Sequence, residues 1–191
     1  MKFMKMTLAI MFAFMVMAAN VVCEAAAETV DNGAELARVK RLAIGYPDYY
    51  KTLEKEPTTE EFIKAIFDAS KVARTYIISY DEMATHIKQD TGIDIKVIPK
   101  MDARRIFKEQ VYKYADGYLI VTLANNSRVT MFCDVYAVNT NERVYSLQVP
   151  GNKSDDSKNF KSYKTLAEEF FRTFDRAAQA EAKKEAKNNK D

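Results

Sequence analysis

Catalysis needs nucleophiles, bases and metal ligands set close together, and this chain supplies few of them. His86 is its one histidine, Cys23 and Cys133 are its two cysteines, and 191 residues include five glycines. A Ser-His-Asp relay would need a Gly-x-Ser-x-Gly elbow to present its serine, and no such run occurs. Zinc sites draw on clustered His and Cys, so a lone histidine far from either cysteine leaves no metal to expect. Glycine-rich phosphate loops do not occur either, and no cofactor is expected. His86 falls on a polar helix turn and is expected to face solvent. Carboxylates come as neighbours at Glu60-Glu61, Asp81-Glu82, Asp155-Asp156 and Glu168-Glu169. Two acids facing each other across a cleft could hydrolyse a glycosidic bond, which makes a cell-wall-directed hydrolase the enzymatic alternative. Three of the pairs sit at expected helix starts, where capping and the helix dipole account for them. Asp155-Asp156 lies in a Ser/Asn/Lys loop without the ligand spacing of a calcium site. No catalytic residue is assigned, and the chain reads as non-enzymatic.

Residues suited to recognition are better represented. The sequence holds eleven tyrosines, three of them in Tyr46-Pro47-Asp48-Tyr49-Tyr50. Tyrosine offers contact area at low entropic cost. Tyr46, Asp48, Tyr49 and Tyr50 are therefore candidate binding residues, their alternative role being to cover an open edge of the core. Arg104, Arg105 and Lys108 form a candidate basic patch, with a solvated helix face as the alternative. The segment 181–191 carries four lysines against three acids. That is too balanced for a nucleic-acid arm, and no nucleic-acid partner is expected.

The first residues give an address. Lys2 and Lys5 precede an apolar run over 6–22 that only Thr7 and Asn20 interrupt, and Cys23-Glu24-Ala25-Ala26-Ala27 follows. A basic start, a greasy centre and an Ala-x-Ala exit make a secretory signal peptide, with cleavage expected after Ala27. A membrane anchor is the alternative, although the run falls short of the roughly 20 apolar residues of a span. Cys23 is a candidate for acylation, but lipoprotein processing prefers a small residue where Val22 stands. Membrane association is expected only if Cys23 is acylated or the signal stays attached. Residues 1–27 are thus a signal, 28–40 a leader or short helix, 41–178 one domain and 179–191 a charged helical or frayed tail. Loss of Lys2, Lys5 and Glu24 lowers the net charge from +2 to +1. After cleavage Cys133 stands alone, so no internal disulfide can form, and its apolar strand suits a small buried hydrophobe.

Positioning falls to an alternation of strands and helices. The segments 118–123, 129–138 and 143–149 are β-branched and aromatic, joined by short Asn/Ser turns, which predicts an antiparallel meander. Ahead of it, 39–46 and 75–80 read as strands. A capping box from Thr58 to Glu61 opens a helix with Phe62, Ile63, Ile66 and Phe67 on one side. A second helix begins near Asp81 and stops at Gly92. Ile93, Ile95 and Val97 alternate as in a short edge strand or extended loop, and Asp102 is expected to cap a helix to about Tyr114. A last helix over 161–186 shows an apolar stripe of Tyr163, Leu166, Phe170, Phe171, Phe174 and Ala177/Ala178. The fold class expected is α+β: a mixed, mostly antiparallel sheet with helices on one face, a C-terminal three-strand meander and a long terminal helix.

Two stretches carry a resemblance. Tyr114-Ala115-Asp116-Gly117-Tyr118-Leu119-Ile120-Val121 and Asp134-Val135-Tyr136-Ala137-Val138-Asn139-Thr140-Asn141-Glu142-Arg143-Val144-Tyr145-Ser146 resemble a bacterial envelope group. That group contains the curli-secretion lipoprotein, the penicillin-binding-protein activator lipoprotein and the N-terminal domain of the Tol translocation protein. The likeness would extend from about residue 41 to 174. Asn141 departs from it where the group prefers Gly, as does Val22 at the lipoprotein signal. The resemblance implies an envelope module working by protein contact. Together these features predict an exported non-enzymatic protein that binds an envelope protein or cell-wall component, with an accessory subunit of a secretion or envelope-assembly complex as a further alternative. N-terminal sequencing of the exported chain should return Glu28-Thr29-Val30; an acylated Cys23 at the terminus would identify the lipoprotein route instead.

Overall fold

The protein is described here by a computed structural model covering residues 26–49, 56–125, 129–151 and 160–188. Residues 1–25 of the signal segment (with Cys23), Tyr50 and the Asp155-Asp156 loop lie outside these residues. In chain order the elements are β1 (Ala27–Val30), α1 (Gly33–Arg38), β2 (Arg41–Ile44), α2 (Thr59–Ala69), β3 (Tyr76–Ile78) and α3 (Tyr80–Thr91). They continue with α4 (Lys100–Gln110), β4 (Gly117–Asn125), β5 (Val129–Ala137), β6 (Arg143–Pro150) and α5 (Phe160–Asn188). The strands form one sheet in the order β1-β6-β5-β4-β2-β3. The pairs β1-β6, β6-β5 and β5-β4 are antiparallel, whereas β4-β2 and β2-β3 are parallel. The expected α+β class, the meander and the long terminal helix are all present.

Local chemistry sets the ends of these elements. Thr58 Oγ1 accepts from the Glu61 amide at 3.2 Å while Glu61 Oε2 accepts from the Thr58 amide at 2.8 Å, completing the expected box. Ser79 Oγ accepts from the Glu82 amide to open α3, and Gly92 closes it at φ 73 with its N–H on the Lys88 carbonyl. Glycine takes this left-handed conformation without a Cβ penalty. Asp102 is not the cap of α4: Pro99 occupies that position, and Asp102 lies in the first turn. Beyond Gln110 the chain tightens into a 3₁₀ turn, Val111–Lys113, so α4 proper stops short of Tyr114. Residues 93–99 are turns and bends rather than a strand, with Ile95 buried and Val97 exposed.

The β5-β6 turn explains the departure at Asn141. This residue adopts φ 57, which Asn tolerates better than most side chains, and its Oδ1 accepts from the Tyr118 hydroxyl at 3.1 Å. A glycine would supply the same backbone but not that acceptor.

Helices cover both faces of the sheet, not one. On the first face α1, α2 and α5 pack against Leu42, Ile44, Leu119, Val121, Met131, Cys133, Val135 and Leu147. On the second, α3 and α4 pack against Ala43, Ile78 and Tyr118. The economical single-layer arrangement fails because β2 and β4 are apolar on both sides, as a strand between parallel neighbours must be when crossover helices flank it. Farther along the second face β5 alternates buried and half-buried residues, the pattern of a strand covered on one side. Residues 28–40, expected as a leader or short helix, do contain the short helix α1, and they add the edge strand β1 and the buried Leu36, Ala37 and Val39.

The terminal helix lies at the centre of the first core. Tyr163, Phe170, Phe171 and Phe174 are all fully buried or within 1% of it, and Tyr145 meets the Phe174 ring edge-on at 5.6 Å. Asp175 then ties α5 to the segment before β3, accepting from the Arg74 amide at 2.5 Å, the Thr75 amide at 3.2 Å and the Thr75 hydroxyl at 2.7 Å. Phe174→Ala should cost about 3–5 kcal/mol of stability through lost burial and a residual cavity, read as a lowered midpoint in chemical denaturation with an unchanged slope.

Candidate functional site

Two groups of residues that are far apart in sequence meet at one cavity. After β2 the chain does not turn away. The Gly45 amide donates to Leu119 at 2.8 Å, the Asp48 amide to Val121 at 2.8 Å, and the Leu123 amide to Asp48 at 3.3 Å, so residues 45–48 run on beside β4. This approach needs glycine at 45, where a Cβ would stand 3.1 Å from the Leu119 carbonyl oxygen and 2.7 Å from Ile120 Cδ1. Opposite lies α4, whose Lys100, Arg104 and Lys108 share one face at four-residue spacing. Between them is a cavity of about 160 Å³ lined by Tyr46, Asp48, Tyr80, Ala103, Arg104, Phe107, Lys108, Ile120 and Tyr136.

Charge and aromatic surface converge there. Asp48 Oδ1 accepts from Arg104 Nη2 and from Lys100 Nζ, the latter at 3.4 Å. Lys100 Nζ also stands 5.4 Å from the Tyr46 ring centroid, and Lys108 Nζ 6.0 Å from that of Tyr118. Tyr46 meets Tyr80 edge-on at 5.5 Å, while Tyr118 and Tyr136 stack at 5.2 Å. Burial raises the Asp48 pKa, but hydrogen bonds and charge from Arg104, reinforced by Lys100, outweigh it and hold the carboxyl below its ordinary value. Burial raises Tyr80 and Tyr136 above the usual phenol value and pushes Tyr118 up to about 12. These rings therefore act as neutral surfaces and hydroxyl donors, not as phenolate bases.

Of the candidate binding residues, Tyr46 and Asp48 line the cavity, but Tyr49 does not. It is 5% exposed, donates its hydroxyl to the Pro57 carbonyl at 2.8 Å and packs its ring on Phe62 at 4.8 Å, so it belongs to the core. Of the basic patch, Arg104 and Lys108 face the cavity, whereas Arg105 points outward to Glu109 at 3.0 Å. Tyr80, Phe107, Ile120, Tyr136 and Lys100 complete the site without having been singled out. For Lys100 a signal existed, its spacing of four from Arg104. The aromatic walls gave none, because their rings come from separate elements.

The remaining chemical candidates are accounted for differently. His86 is not simply solvent-facing; it is half-buried and stacks on Tyr114 at 4.4 Å. Cys133 is buried, which pushes its thiol well up and away from reactivity. Asp81 pairs with Lys96 at 2.7 Å and Glu61 serves the capping box. Glu168 and Glu169 lie inside α5 rather than at its start, paired with Arg172 and Arg176. Among the described residues the cavity is lined by a single carboxylate, Asp48. Among the described residues no group of three or more His, Cys, Asp or Glu could hold a metal ion, and no helix is long and apolar enough to cross a membrane.

No family model matches the chain, and no curated relative matches it. Among solved structures it is similar to the PelC dodecamer from Paraburkholderia phytofirmans at TM-score 0.43 and 10% identity, covering 79% of this chain and 98% of that one. It is also similar to the LpoB C-terminal domain from Escherichia coli, at TM-score 0.42 and 15% identity over 58% and 81% of the two chains. A third is lipoprotein GNA1162 from Neisseria meningitidis, at TM-score 0.39 and 13% identity over 70% and 96%. These are distant resemblances.

Because the folded-state pKa of Asp48 is depressed, its ion pair stabilises the fold above the unfolded value of about 3.9 and loses that contribution as pH falls through the lower folded value. Asp48→Asn should therefore be less stable than the parent at pH 7, with the gap closing as the pH falls below the ordinary carboxylate value and through the lower folded one. Urea titrations of both proteins across that range check this.

Proposed function

We propose that this chain is an exported binding module of the bacterial envelope, engaging an envelope protein or cell-wall component at the cavity between residues 46–48 and α4. The observation that carries the reading is the convergence of Tyr46 and Asp48 with Arg104 and Lys108 around one aromatic-walled space. Such a site has what recognition uses: rigid rings, a few directed polar groups and an excess of one charge. Hydrolysis by paired acids uses a second carboxylate facing the first, and the described residues lining the cavity supply only Asp48. Asp48 is also poorly suited to proton transfer, since two cations hold it ionised and general acids work best with a pKa near ambient pH. Export rests on the signal-like residues 1–27, and the envelope assignment on that address together with the motif resemblance of residues 114–146.

Two α4 residues that neighbour each other in sequence but face opposite ways provide the test. Affinity capture from envelope extracts and co-sedimentation with purified cell wall would be run with the parent, Arg104→Glu and Arg105→Glu. The reading expects Arg104→Glu to abolish retention of the partner or wall and Arg105→Glu to leave it within about twofold, with both variants folded by circular dichroism. Equal loss, or no loss, in the two variants would place binding elsewhere on the surface.

A further inference from the structure

The cavity's polar groups are unevenly satisfied, and the imbalance points to a ligand class. Among the described residues that line it Asp48 is the one carboxylate, against Arg104 and Lys108, and Lys100 reaches Asp48 from beside the cavity. Arg104 and Lys100 converge on the same Asp48 oxygen, Oδ1. Arg104 Nε is buried and meets no acceptor among the described residues. A guanidinium pairs best with a carboxylate side-on, Nε and Nη2 each donating to one oxygen. Asp48 takes only the Nη2 half of that fork. A buried donor left without an acceptor is destabilising, so Arg104 is held in an incomplete pairing. Lys108 meets no carboxylate among the described residues and lies over the Tyr118 ring.

Size and surface define the rest of the ligand. A cavity of about 160 Å³ is close to one that accommodates benzene in another protein, hence about a single ring. Tyr46, Tyr80, Phe107 and Tyr136 supply the walls, Ile120 and Ala103 the apolar remainder.

We propose that this cavity binds a carboxylate carried on a single-ring or comparably small apolar body, with Asp48 acting as the internal competitor that the ligand's carboxylate displaces from Arg104. This deepens the binding reading above and rests on it for the location of the site. The incoming carboxylate completes the Nε–Nη2 fork, Lys108 adds attraction across the cavity, and the body of the ligand lies against the rings. No bond is made or broken. Competition by Asp48 has an unusual consequence: removing a negative charge that stabilises the fold should strengthen binding. A merely structural ion pair would not do that.

Titration of the folded protein with benzoate, followed by amide chemical shifts of Tyr46, Asp48 and residues 100–108, tests the assignment. The neutral isostere benzamide and inorganic phosphate serve as comparison ligands. Benzoate should bind at least about tenfold more tightly than either, Asp48→Asn should tighten benzoate several-fold, and Arg104→Gln should abolish it. Benzamide binding as well as benzoate, phosphate competing equally, or Asp48→Asn leaving affinity unchanged would each overturn the proposal. Because no envelope partner enters these titrations, a failure here alongside an Arg104-dependent capture would remove the carboxylate assignment and leave the binding module standing. Benzoate binding without such capture would do the reverse.

Discussion

The backbone ladder that carries residues 45–48 along β4 is the constraint on which the site depends. It is an extension of the parallel β2-β4 joint, and that joint is locked at its start by one carboxylate. Asp116 accepts from the Lys40 amide at 3.1 Å, the Arg41 amide at 2.8 Å and the Arg41 guanidinium at 3.0 Å. Burial raises its pKa, but the Arg41 and Lys40 contacts outweigh this and leave it lowered, so the acceptor stays ionised. With the start of β2 fixed to the start of β4, the register carries forward through Leu42, Ala43 and Ile44 to Gly45 and Asp48. Asp48 consequently reaches the face of α4 as an outcome of sheet register, independent of any flexible loop.

The same chemistry recurs at the other end of the molecule with a different outcome. Asp175 and Asp116 both use backbone amides as donors, and both join segments far apart in sequence. Carboxylates accepting main-chain N–H groups are well satisfied and serve as staples. Asp48 differs because, among the described residues, its side chain takes donors from other side chains, Arg104 and Lys100, which can be given up without opening the sheet. Its own amide and carbonyl are already committed to β4. The distinction separates a carboxylate that holds the fold from one that can exchange partners.

What the sequence made legible follows from the range of the forces involved. The meander, the Thr58 capping box, the Gly92 stop and the apolar stripe of α5 are local patterns of period two or 3.6, and each stands where expected. The edge strand β1 was not legible, since Ala27–Val30 is exposed throughout and shows no alternation; it exists because β6 offers an unpaired edge. Helix placement on both faces also escaped, because the doubly apolar character of β2 shows only after β3 and β4 are placed on either side of it. At the site, residue type was informative and residue direction was not. Tyr46 and Tyr49 are identical side chains three positions apart, yet one lines the cavity and the other fills the core. Arg104 and Arg105 diverge likewise, and only the helical rotation of about 100° between neighbours, fixed by which face of α4 is buried, decides between them.

That division bears on the binding role proposed for the cavity. Its described walls come from the 46–48 segment, α3, α4, β4 and β5, so their relative positions are set by core packing on the second sheet face. Rigid walls favour binding, because little ordering entropy remains to be lost when a ligand arrives. Catalysis by acids and bases would need a group poised to change protonation near neutral pH, and this environment moves its ionisable groups the other way. Asp48 is held lower by cations, and the tyrosines are held higher by burial. Every shift lengthens the pH interval over which the charge pattern stays constant. A surface whose charge is fixed and whose shape is fixed is selective for a complementary shape and charge, and that is the property a binding module requires.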